Sequence, residues 1–351
     1  MIKPKNLLIV RTDRIGDVVL SLPLAEIVKK YYPECKITFL VRNYTKDILE
    51  NHPFIDKIIL LQEENKKVSI LKNVKIIKSF GFDSGIIVYP TLQTSIIIFL
   101  SGIKNRIGTG YRWYSFLFNH KIFEHRKYAE KHELEYNVNL LNAFGINEIV
   151  APGKVDFNLT INKKSEEKIK TLFEDNGINN DKLIIIIHPG SGGSAVDLPV
   201  NKFKYLVEEL SKKDKFQILL TGSEQEIEIC EKLKINNKIK NFAGILSLSE
   251  LIALIDKCNI FVANSTGPLH IAAALGKYIV GFYPNLLVCS AKRWGPYTNK
   301  KIIFSPKKEC SDCEREQCTK SQCMNSIEVK DVVEEIDKIY NFISDNGENN
   351  V

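Results

Sequence analysis

The chain has 351 residues, of which 44% are hydrophobic and 26% charged, and its 49 Lys and Arg exceed its 42 Asp and Glu by seven. This composition is typical of globular proteins and excludes extensive disorder. The longest apolar stretches, residues 95–103 and 183–187, are much shorter than the roughly 18 apolar residues of a membrane span, and charged residues follow the first apolar run too early for a signal peptide. We therefore expect a cytoplasmic protein of two domains.

The basic charge is concentrated in the first half of the chain. Residues 1–155 contain 23 Lys and Arg against 15 Asp and Glu, and residues 104–131 interleave seven basic residues with aromatic ones. This pattern predicts either an anionic partner (a phosphorylated glycan, an anionic membrane surface or a nucleic acid) or a solvated basic face. Because the sequence has no helix-turn-helix, zinc-finger or RNP motif, we expect no nucleic-acid partner.

The first half alternates predicted strands and helices. Apolar runs at residues 7–10, 37–41, 57–61 and 84–89 are typical of buried strands, and residues 18–32 have the apolar spacing of a helix that ends at Pro33. A strand, a helix and a second strand within about 35 residues form the usual crossover between parallel strands. This half is therefore predicted to be α/β.

The second half repeats the pattern. Predicted strands at residues 183–187, 216–220, 259–262 and 278–282 alternate with predicted helices at 201–213, 224–233, 249–257 and 268–275. We expect two doubly wound domains, residues 1–157 and 158–328, with ligands outside the carboxyl ends of their strands. A last helix and polar tail, residues 329–351, could pack back on the first domain.

The loop after the first strand reads Arg-Thr-Asp-Arg-Ile-Gly-Asp and spans residues 11–17. Gly16 permits a tight turn, and Asp17 falls in the first turn of the next helix, where the helix dipole stabilises an ionised carboxylate. Such a carboxylate could accept a proton from an incoming hydroxyl. The alternative is that Asp13 or Asp17 only caps the helix.

A glycine-rich loop, His-Pro-Gly-Ser-Gly-Gly-Ser, follows the strand at residues 183–187. Its glycines let the backbone approach a pyrophosphate, to which main-chain amides and serine hydroxyls can donate. It matches neither the Walker A motif nor GxGxxG, which argues against a P-loop ATPase and a dinucleotide dehydrogenase.

The third loop, Asn-Ser-Thr-Gly-Pro-Leu-His, spans residues 264–270. Pro268 suits the first helical position, Ser265 or Thr266 the N-cap, and Gly276 the helix stop, so the amino end of this helix would face an anion. His270 could be a ligand contact or an ordinary buried histidine.

Together these segments resemble glycosyltransferase family 9, the ADP-heptose:lipopolysaccharide heptosyltransferases. The resemblance covers nearly the whole chain and rests on LLIVRTDRIGDVVLSLPL, HPGSGG followed by SAVDLP, FAGILSLSELIALIDKCNIFVANSTGPLHIAAALG and a cysteine-bearing stretch near the end. It implies a GT-B fold, in which two Rossmann-like domains face each other across a cleft, with the acceptor mainly on the first domain and the nucleotide-sugar mainly on the second.

The resemblance also implies roles for individual residues. The catalytic base corresponds to Asp17, which would deprotonate an acceptor hydroxyl and give an inverted product without a required metal. The residues expected to bind the donor, ADP-heptose, are Ser191, Gly192, Gly193, Ser194, Ser223, Glu226, Ser265, Thr266, Gly267 and His270. Those expected to bind a phosphorylated, lipid-anchored acceptor at the inner membrane face are Arg14, Arg106, Tyr111, Arg112, Trp113, Arg126 and His132.

The sequence departs from the family pattern at two positions. Val196 stands where many members have a lysine that holds the diphosphate, and Ser265 stands where members often have Asp. A UDP- or GDP-sugar donor is therefore an alternative, as is a non-catalytic nucleotide-sugar or glycan-binding protein. Without the lysine, diphosphate binding would rely on backbone amides and on another cation, such as Arg11, Arg14 or Lys292.

Four of the eight cysteines are clustered as C-x2-C-x4-C-x4-C at Cys310, Cys313, Cys318 and Cys323. Disulfides are rare in the cytoplasm, so the alternatives are reduced structural thiols or a four-thiolate site for zinc or an iron–sulfur cluster. The oligomeric state is left open.

Overall fold

The computed structural model describes residues 2–178, 181–307 and 323–347. The chain divides into two compact units, residues 1–160 and 161–351. Our predicted boundary lay at 157/158, and Thr160 still belongs to the first unit, where its Oγ1 donates to the carbonyl oxygen of Glu50 (2.6 Å). No helix within the described ranges is both long and apolar enough to cross a membrane.

The first unit is built on a six-stranded parallel sheet. Its strands are β1 (Asn6–Val10), β2 (Lys36–Val41), β3 (Lys57–Leu60), β6 (Ser84–Ile87), β7 (Asn105–Thr109) and β8 (His120–Ile122), in the spatial order β3-β2-β1-β6-β7-β8. A two-stranded antiparallel hairpin, β4 (Glu63–Glu64) and β5 (Lys67–Val68), lies outside it. The helices are α1 (Ile15–Val19), α2 (Pro23–Tyr31), α3 (Ile70–Ser79), α4 (Leu92–Leu100) and α5 (Glu133–Asn139).

The second unit repeats this plan. Its sheet contains β9 (Leu183–His188), β10 (Phe216–Leu220), β11 (Lys240–Asn241), β12 (Ile260–Asn264), β13 (Tyr278–Phe282) and β14 (Lys301–Phe304), all parallel, in the order β11-β10-β9-β12-β13-β14. The helices are α6 (Lys163–Asp175), α7 (Val200–Ser211), α8 (Ile227–Leu233), α9 (Leu248–Asp256), α10 (Gly267–Ala274), α11 (Ala291–Trp294) and α12 (Val329–Asp345).

Both sheets have the strand order of a doubly wound nucleotide-binding fold, which confirms the predicted α/β class. The order reverses between β1 and β6 in the first unit and between β9 and β12 in the second. Ligands of such sheets bind at the carboxyl ends of the strands at this reversal. The loop after β1 and the loops after β9 and β12 therefore occupy the expected ligand-binding edge of their own sheet.

Two features differ from the sequence prediction. The helix predicted at 18–32 is divided into α1 and α2, since Pro23 begins a new helix and has no amide hydrogen for the preceding turn. Strands β7, β8 and β14 were not predicted, because none is a continuous buried apolar run: β8 contains only one apolar residue.

The last helix, α12, belongs to the core of the second unit. Its apolar residues Val332, Ile336 and Ile343 are buried in one cluster with Phe203 and Leu206 of α7 and with strands of the second sheet. The sequence had left open that this helix packs on the first unit. Burial of its apolar face against α7 explains its position, since each fully buried large aliphatic side chain contributes roughly 1.5–3 kcal/mol.

Candidate functional site

The loop after β1 places a buried arginine among three carboxylates. The guanidinium of Arg11, which has no solvent exposure, forms an ion pair with Asp17 and lies 2.8 Å from Asp13 (Nε to Oδ1) and 3.6 Å from Glu133 (Nη1 to Oε1). The contact with Asp13 is close but is not aligned as a hydrogen bond. Asp13 and Asp17 are supplied by the loop and α1, whereas Glu133 is supplied by the first turn of α5.

The charged groups of this cluster shift the pKa values of Arg11 and Asp13. Burial alone would lower the pKa of Arg11, but Asp13, Asp17 and Glu133 outweigh it and raise the pKa above its ordinary value. Burial raises the pKa of Asp13 to about 7, and the nearby Asp17 adds to this effect while Arg11 opposes it. Arg11 therefore stays charged throughout the physiological range and provides the countercharge for the carboxylates.

A second arginine extends the cluster. Arg126 forms an ion pair with Glu133 and donates from Nη1 to Oδ1 of Asn137 (3.1 Å). The side-chain amide of Asn137 in turn donates to the carbonyl oxygen of Leu20 (3.1 Å), directly after α1. Helix α5 thus contacts the end of α1 through a hydrogen bond and the buried arginine through an ion pair, and both contacts help to fix the backbone that carries Asp17.

Asp17 lies in the first turn of α1, as predicted, and its side chain is 13% exposed. The N-cap position of α1 is occupied by Arg14, whose side chain makes no capping hydrogen bond, so neither Asp13 nor Asp17 is the helix cap. Ser21 bonds to the backbone carbonyl of Asp17 (2.8 Å). The arrangement is a partly accessible carboxylate that a buried cation holds at a defined position.

In the second unit, the loops after β9 and β12 are tied together by Asn264, the last residue of β12. Its fully buried side chain accepts from the amide of Leu198 (2.9 Å) and donates to the carbonyl oxygen of Pro189 (2.5 Å). Because one side chain bonds to both ends of residues 189–198, the glycine-rich loop is held in place over the edge of the sheet.

The glycine-rich loop contains a buried hydroxyl group. Gly192 and Gly193 have φ values of +55° and +73°, the left-handed region that glycine tolerates best, and the amide of Ser194 donates to the carbonyl oxygen of Ser191 (3.0 Å). The Oγ of Ser191 is buried and has no hydrogen-bond partner among the described residues. Buried hydroxyls normally have partners, so this one is a candidate ligand contact.

Glu226 lies behind the glycine-rich loop with its carboxylate almost buried. Its Oε2 accepts from the amide and the hydroxyl of Ser223 (2.7 and 2.9 Å), in the turn that follows β10. A Cβ at Gly190 would lie 1.6 Å from its Oε1, so this position has space only for glycine. The carboxylate therefore reaches the carboxyl end of β9, where the loop begins.

Sequence reasoning gave no role to His188, the last residue of β9. Its Nδ1 lies 3.0 Å from Oγ1 of Thr221, and its Nε2 lies 4.0 Å from Oε2 of Glu226. Burial lowers the pKa of His188, although Glu226 opposes this, so the ring is neutral at pH 7. The sequence signal was a histidine at the end of an apolar strand, directly before Pro-Gly.

The third loop leads into α10, whose N-cap residue is Thr266. This confirms one of the two predicted alternatives, Ser265 or Thr266. Pro268 occupies the first helical turn, and Gly276 ends the helix with a φ of +71°. His270 is buried, its Nδ1 has no hydrogen-bond partner in the part of the chain that the structure describes, and burial lowers its pKa to about 4. It is therefore a neutral ring with an unused nitrogen.

The structure shows how far Val196 and the three candidate replacement cations are exposed to solvent. Val196 is buried in the hydrophobic core of the second unit, where a diphosphate would not reach it. Arg11 has no solvent exposure and is committed to the carboxylates of the first unit. Arg14 and Lys292 are both exposed. Ser265, the second departure, bonds to the hydroxyl of the buried Tyr283.

Three of the residues expected to bind the acceptor have structural partners. Arg106 donates to the carbonyl oxygens of Leu117 (Nε, 2.8 Å) and Ile103 (Nη1, 2.6 Å), and Arg126 belongs to the Glu133 network. His132 is the buried N-cap of α5 and accepts from the amide of Leu134 (3.2 Å). The side chains of the other four residues are exposed: Arg14, Tyr111, Arg112 and Trp113.

The clustered cysteines fall mostly outside the described residues. Cys310, Cys313 and Cys318 lie there, and Cys323 is buried in the core of the second unit. Within the described residues, no group of three or more His, Cys, Asp or Glu side chains is arranged to hold a metal ion. The proposed thiolate site at these four positions therefore stays a prediction.

Comparison with known structures identifies the fold, and comparison with known sequences identifies the class of protein. The chain is similar to the structure of E. coli ADP-heptose lipopolysaccharide heptosyltransferase II, with a TM-score of 0.77, 19% identity and coverage of 95% of this chain and 98% of that one. This likeness confirms the GT-B fold of glycosyltransferases. The sequence gives the family: the profile of glycosyltransferase family 9 (heptosyltransferase) matches residues 70–324, and the chain belongs to this family.

Two relatives match over most of their length. A Haemophilus influenzae protein named as a supposed glycosyltransferase is 31% identical over 314 residues, covering 86% of this chain and 89% of the relative. Lipopolysaccharide heptosyltransferase 1 of Campylobacter coli is 25% identical over 352 residues, covering 95% of this chain and 98% of the relative. The chain is therefore a glycosyltransferase, and the expected family is confirmed.

Proposed function

We propose that this enzyme transfers a heptose, with inversion, from ADP-heptose to a lipopolysaccharide core or another surface glycolipid, and that Asp17 is the catalytic base. The observation that carries the proposal is the position of Asp17. It is a partly exposed carboxylate at the ligand-binding edge of the first sheet, ion-paired to a buried arginine. Family membership and the similarity to heptosyltransferases support the choice of donor and acceptor.

The proposed reaction needs one proton acceptor and one stabilised leaving group. The Asp17 carboxylate takes the proton of an acceptor hydroxyl while the oxygen of that hydroxyl forms a bond to the anomeric carbon of the heptose. The bond from that carbon to the diphosphate oxygen breaks, ADP departs with the electron pair, and the configuration inverts. Arg11 is a positioning residue for the base, because it binds the carboxylate but is itself buried.

The second unit supplies the proposed donor site. The main-chain amides of Ser191, Gly192 and Gly193 and those of Thr266 and Gly267 can donate to diphosphate oxygens in the two loops that precede α7 and α10. The unused polar atoms at Ser191 Oγ and His270 Nδ1 are candidates for further contacts. Glu226, whose Oε2 accepts from the amide and hydroxyl of Ser223, is the proposed acceptor for ribose hydroxyls. Preorganised donors of this kind can stabilise a developing charge by about 3–4 kcal/mol each.

The test replaces Asp17 by Asn, which keeps the shape of the side chain and removes its basicity. We expect transfer from ADP-heptose to extracted core glycolipid to fall by at least about 100-fold, the range of general-base catalysis, while ADP binding by calorimetry is retained. The matched control is Asp175→Asn, an exposed carboxylate at the end of α6, which should transfer like the wild type. Full turnover by Asp17→Asn would refute the assignment.

A second donor class is favoured by one observation, the burial of Val196 at a position where many family members have a diphosphate-binding lysine. A UDP- or GDP-sugar remains the alternative donor for the same chemistry. Calorimetry with ADP, UDP and GDP separates them. Binding of ADP at least about tenfold tighter than UDP and GDP, a difference of about 1.4 kcal/mol, supports the primary proposal.

A further inference from the structure

We propose that residues 110–128 of the first unit form an interfacial surface that binds an anionic lipid bilayer. This surface, called here the ring surface, follows β7 and includes β8, the edge strand of its sheet. It deepens the proposed function, because it would bring the enzyme to a lipid-anchored acceptor, and it rests on that function for its biological purpose.

Aromatic side chains of the ring surface are in contact with one another but remain open to solvent. Tyr111 stacks on His125 (centroids 3.5 Å apart) and contacts the edge of Phe123 (5.6 Å), and His125 contacts Tyr128 (5.4 Å). Trp113 and Phe116, in the same segment, are 74% and 68% exposed. Large exposed aromatic side chains this close together in the chain mark a surface that meets an apolar or interfacial partner.

The rings are presented by a loop that is anchored from below. Tyr114 is buried and donates its hydroxyl to the carbonyl oxygen of Pro90 (2.8 Å), and Ser115 Oγ donates to the carbonyl oxygen of Thr109 (2.7 Å). Leu117 and Phe118 are buried as well. Phe116 lies between these buried residues and Trp113 directly precedes them, so the anchored loop holds both outward side chains away from the core.

Exposed cations lie in the same segment as the rings. Arg112, Lys121 and Lys127 are exposed, and none of them forms an ion pair within the described ranges. The ammonium of Lys127 lies 4.8 Å from the centroid of Tyr128. Basic side chains next to interfacial aromatic rings are the composition expected of a peripheral surface for anionic lipids.

A bilayer fits this surface better than a single-stranded nucleic acid, which also stacks on aromatic rings beside cations. The apolar surface continues onto α4, which contacts the turn at Ser115–Leu117. There, Leu100 and Phe99 are about half exposed, and Arg106 lies 5.2 Å from the ring of Phe99. Aliphatic side chains such as Leu100 can enter a lipid interface but offer no face for stacking a base.

The test measures flotation of the full chain with vesicles of phosphatidylcholine containing about 30% phosphatidylglycerol, the composition that supplies the anionic charge. We expect binding to these vesicles, little binding to pure phosphatidylcholine, and a blue shift of tryptophan emission on binding that is lost in Trp113→Phe. Trp294, the other tryptophan, lies in the second unit and serves as the internal reference.

Two pairs of variants and two matched controls decide the assignment. Trp113→Ser with Phe116→Ser, and Lys121→Glu with Lys127→Glu, should each weaken vesicle binding by at least about tenfold. The controls are Leu71→Ser with Ile149→Ser, exposed apolar residues of the same unit, and Lys75→Glu with Lys78→Glu on α3, which change the same properties elsewhere. These should change binding by less than about twofold.

Equal losses in test and control variants, or no binding of the wild type, would overturn the proposal. The proposal would also be overturned if the protein bound a single-stranded oligonucleotide of about twelve nucleotides more tightly than vesicles and the same variants abolished that binding. Vesicle binding is measured without donor or acceptor, and Asp17→Asn should bind vesicles like the wild type. Failure of the ring surface and failure of the proposed catalytic role are therefore distinguishable.

Discussion

Arg11 and Asp17 form an ion pair in which the guanidinium is wholly buried while the carboxylate keeps 13% of its surface exposed. The partly exposed Asp17 is thus held by Arg11, which solvent does not reach. A buried charge of this kind is tolerated only when it is paired, so the position of Asp17 is coupled to the stability of the first unit.

Replacement of Arg11 by Met should destabilise the protein by about 3–5 kcal/mol, because it leaves buried carboxylates without their shared countercharge. Urea unfolding gives the free energy directly. The matched control is Arg42→Met; the Arg42 side chain is 41% exposed, and its Nη2 lies 3.5 Å from Oε1 of Glu63. An exposed pair contributes at most about 1 kcal/mol, so equal losses in the two variants would contradict the buried network.

Asp13 should make stability depend on pH. Its pKa is raised to about 7, mainly by burial, so between about pH 4 and 7 the native state holds a proton that the unfolded chain has released. The contribution of Asp13 to the unfolding free energy therefore falls as pH rises through this window. Compared with Asp13→Asn, the wild type should lose stability from pH 4.5 to 7 in denaturant titrations; parallel curves would show that Asp13 is ionised in both states.

Gly190→Ala should displace the carboxylate of Glu226, since the new Cβ would lie 1.6 Å from its Oε1. We expect a loss of about 1–3 kcal/mol, typical of overpacking, together with weaker ADP binding by calorimetry. In a Glu226→Ala background the same change should have a much smaller effect, which a double-mutant cycle measures.

The control for the glycine substitution is Gly85→Ala in β6. A Cβ there would meet Ile103 and Ile98 at no less than 3.4 Å, an ordinary contact distance. This variant should unfold within about 0.5 kcal/mol of the wild type and bind ADP unchanged. A Gly190→Ala protein that behaves like Gly85→Ala would mean that Glu226 moves aside freely and is not fixed by Ser223.

His270 should contribute stability that is lost in acid. Burial lowers the pKa of His270 to about 4. As pH falls from about 6.5 to 4, the histidine is therefore protonated in the unfolded chain but stays neutral in the native state. Relative to His270→Gln, the wild type should lose about 3 kcal/mol of unfolding free energy across this window. The ring signal of His270 in proton NMR should titrate well below the ordinary histidine range; a midpoint near pH 6.5 would contradict its burial.

The sequence predicted the buried strands well because each is a short, mainly apolar run, as in Leu183–His188 and Ile260–Asn264. It also placed Asp17 and the two glycine-bearing loops at strand ends. It missed His120–Ile122 and Lys301–Phe304 because their residues are only partly buried. Periodicity detects a strand only where burial selects its side chains.

The amino-acid sequence by itself determined that the chain has two α/β units, that loops with glycine and polar residues follow their strands, and that Asp17 begins a helix. The tertiary structure decided that Arg11 is shared with Glu133 of α5, and that Glu226 reaches Gly190 and the neighbourhood of His188. Local backbone preference and apolar spacing can be read from neighbouring residues in the sequence. Contacts between side chains that are distant in the sequence depend on the spatial order of the parallel strands in each sheet.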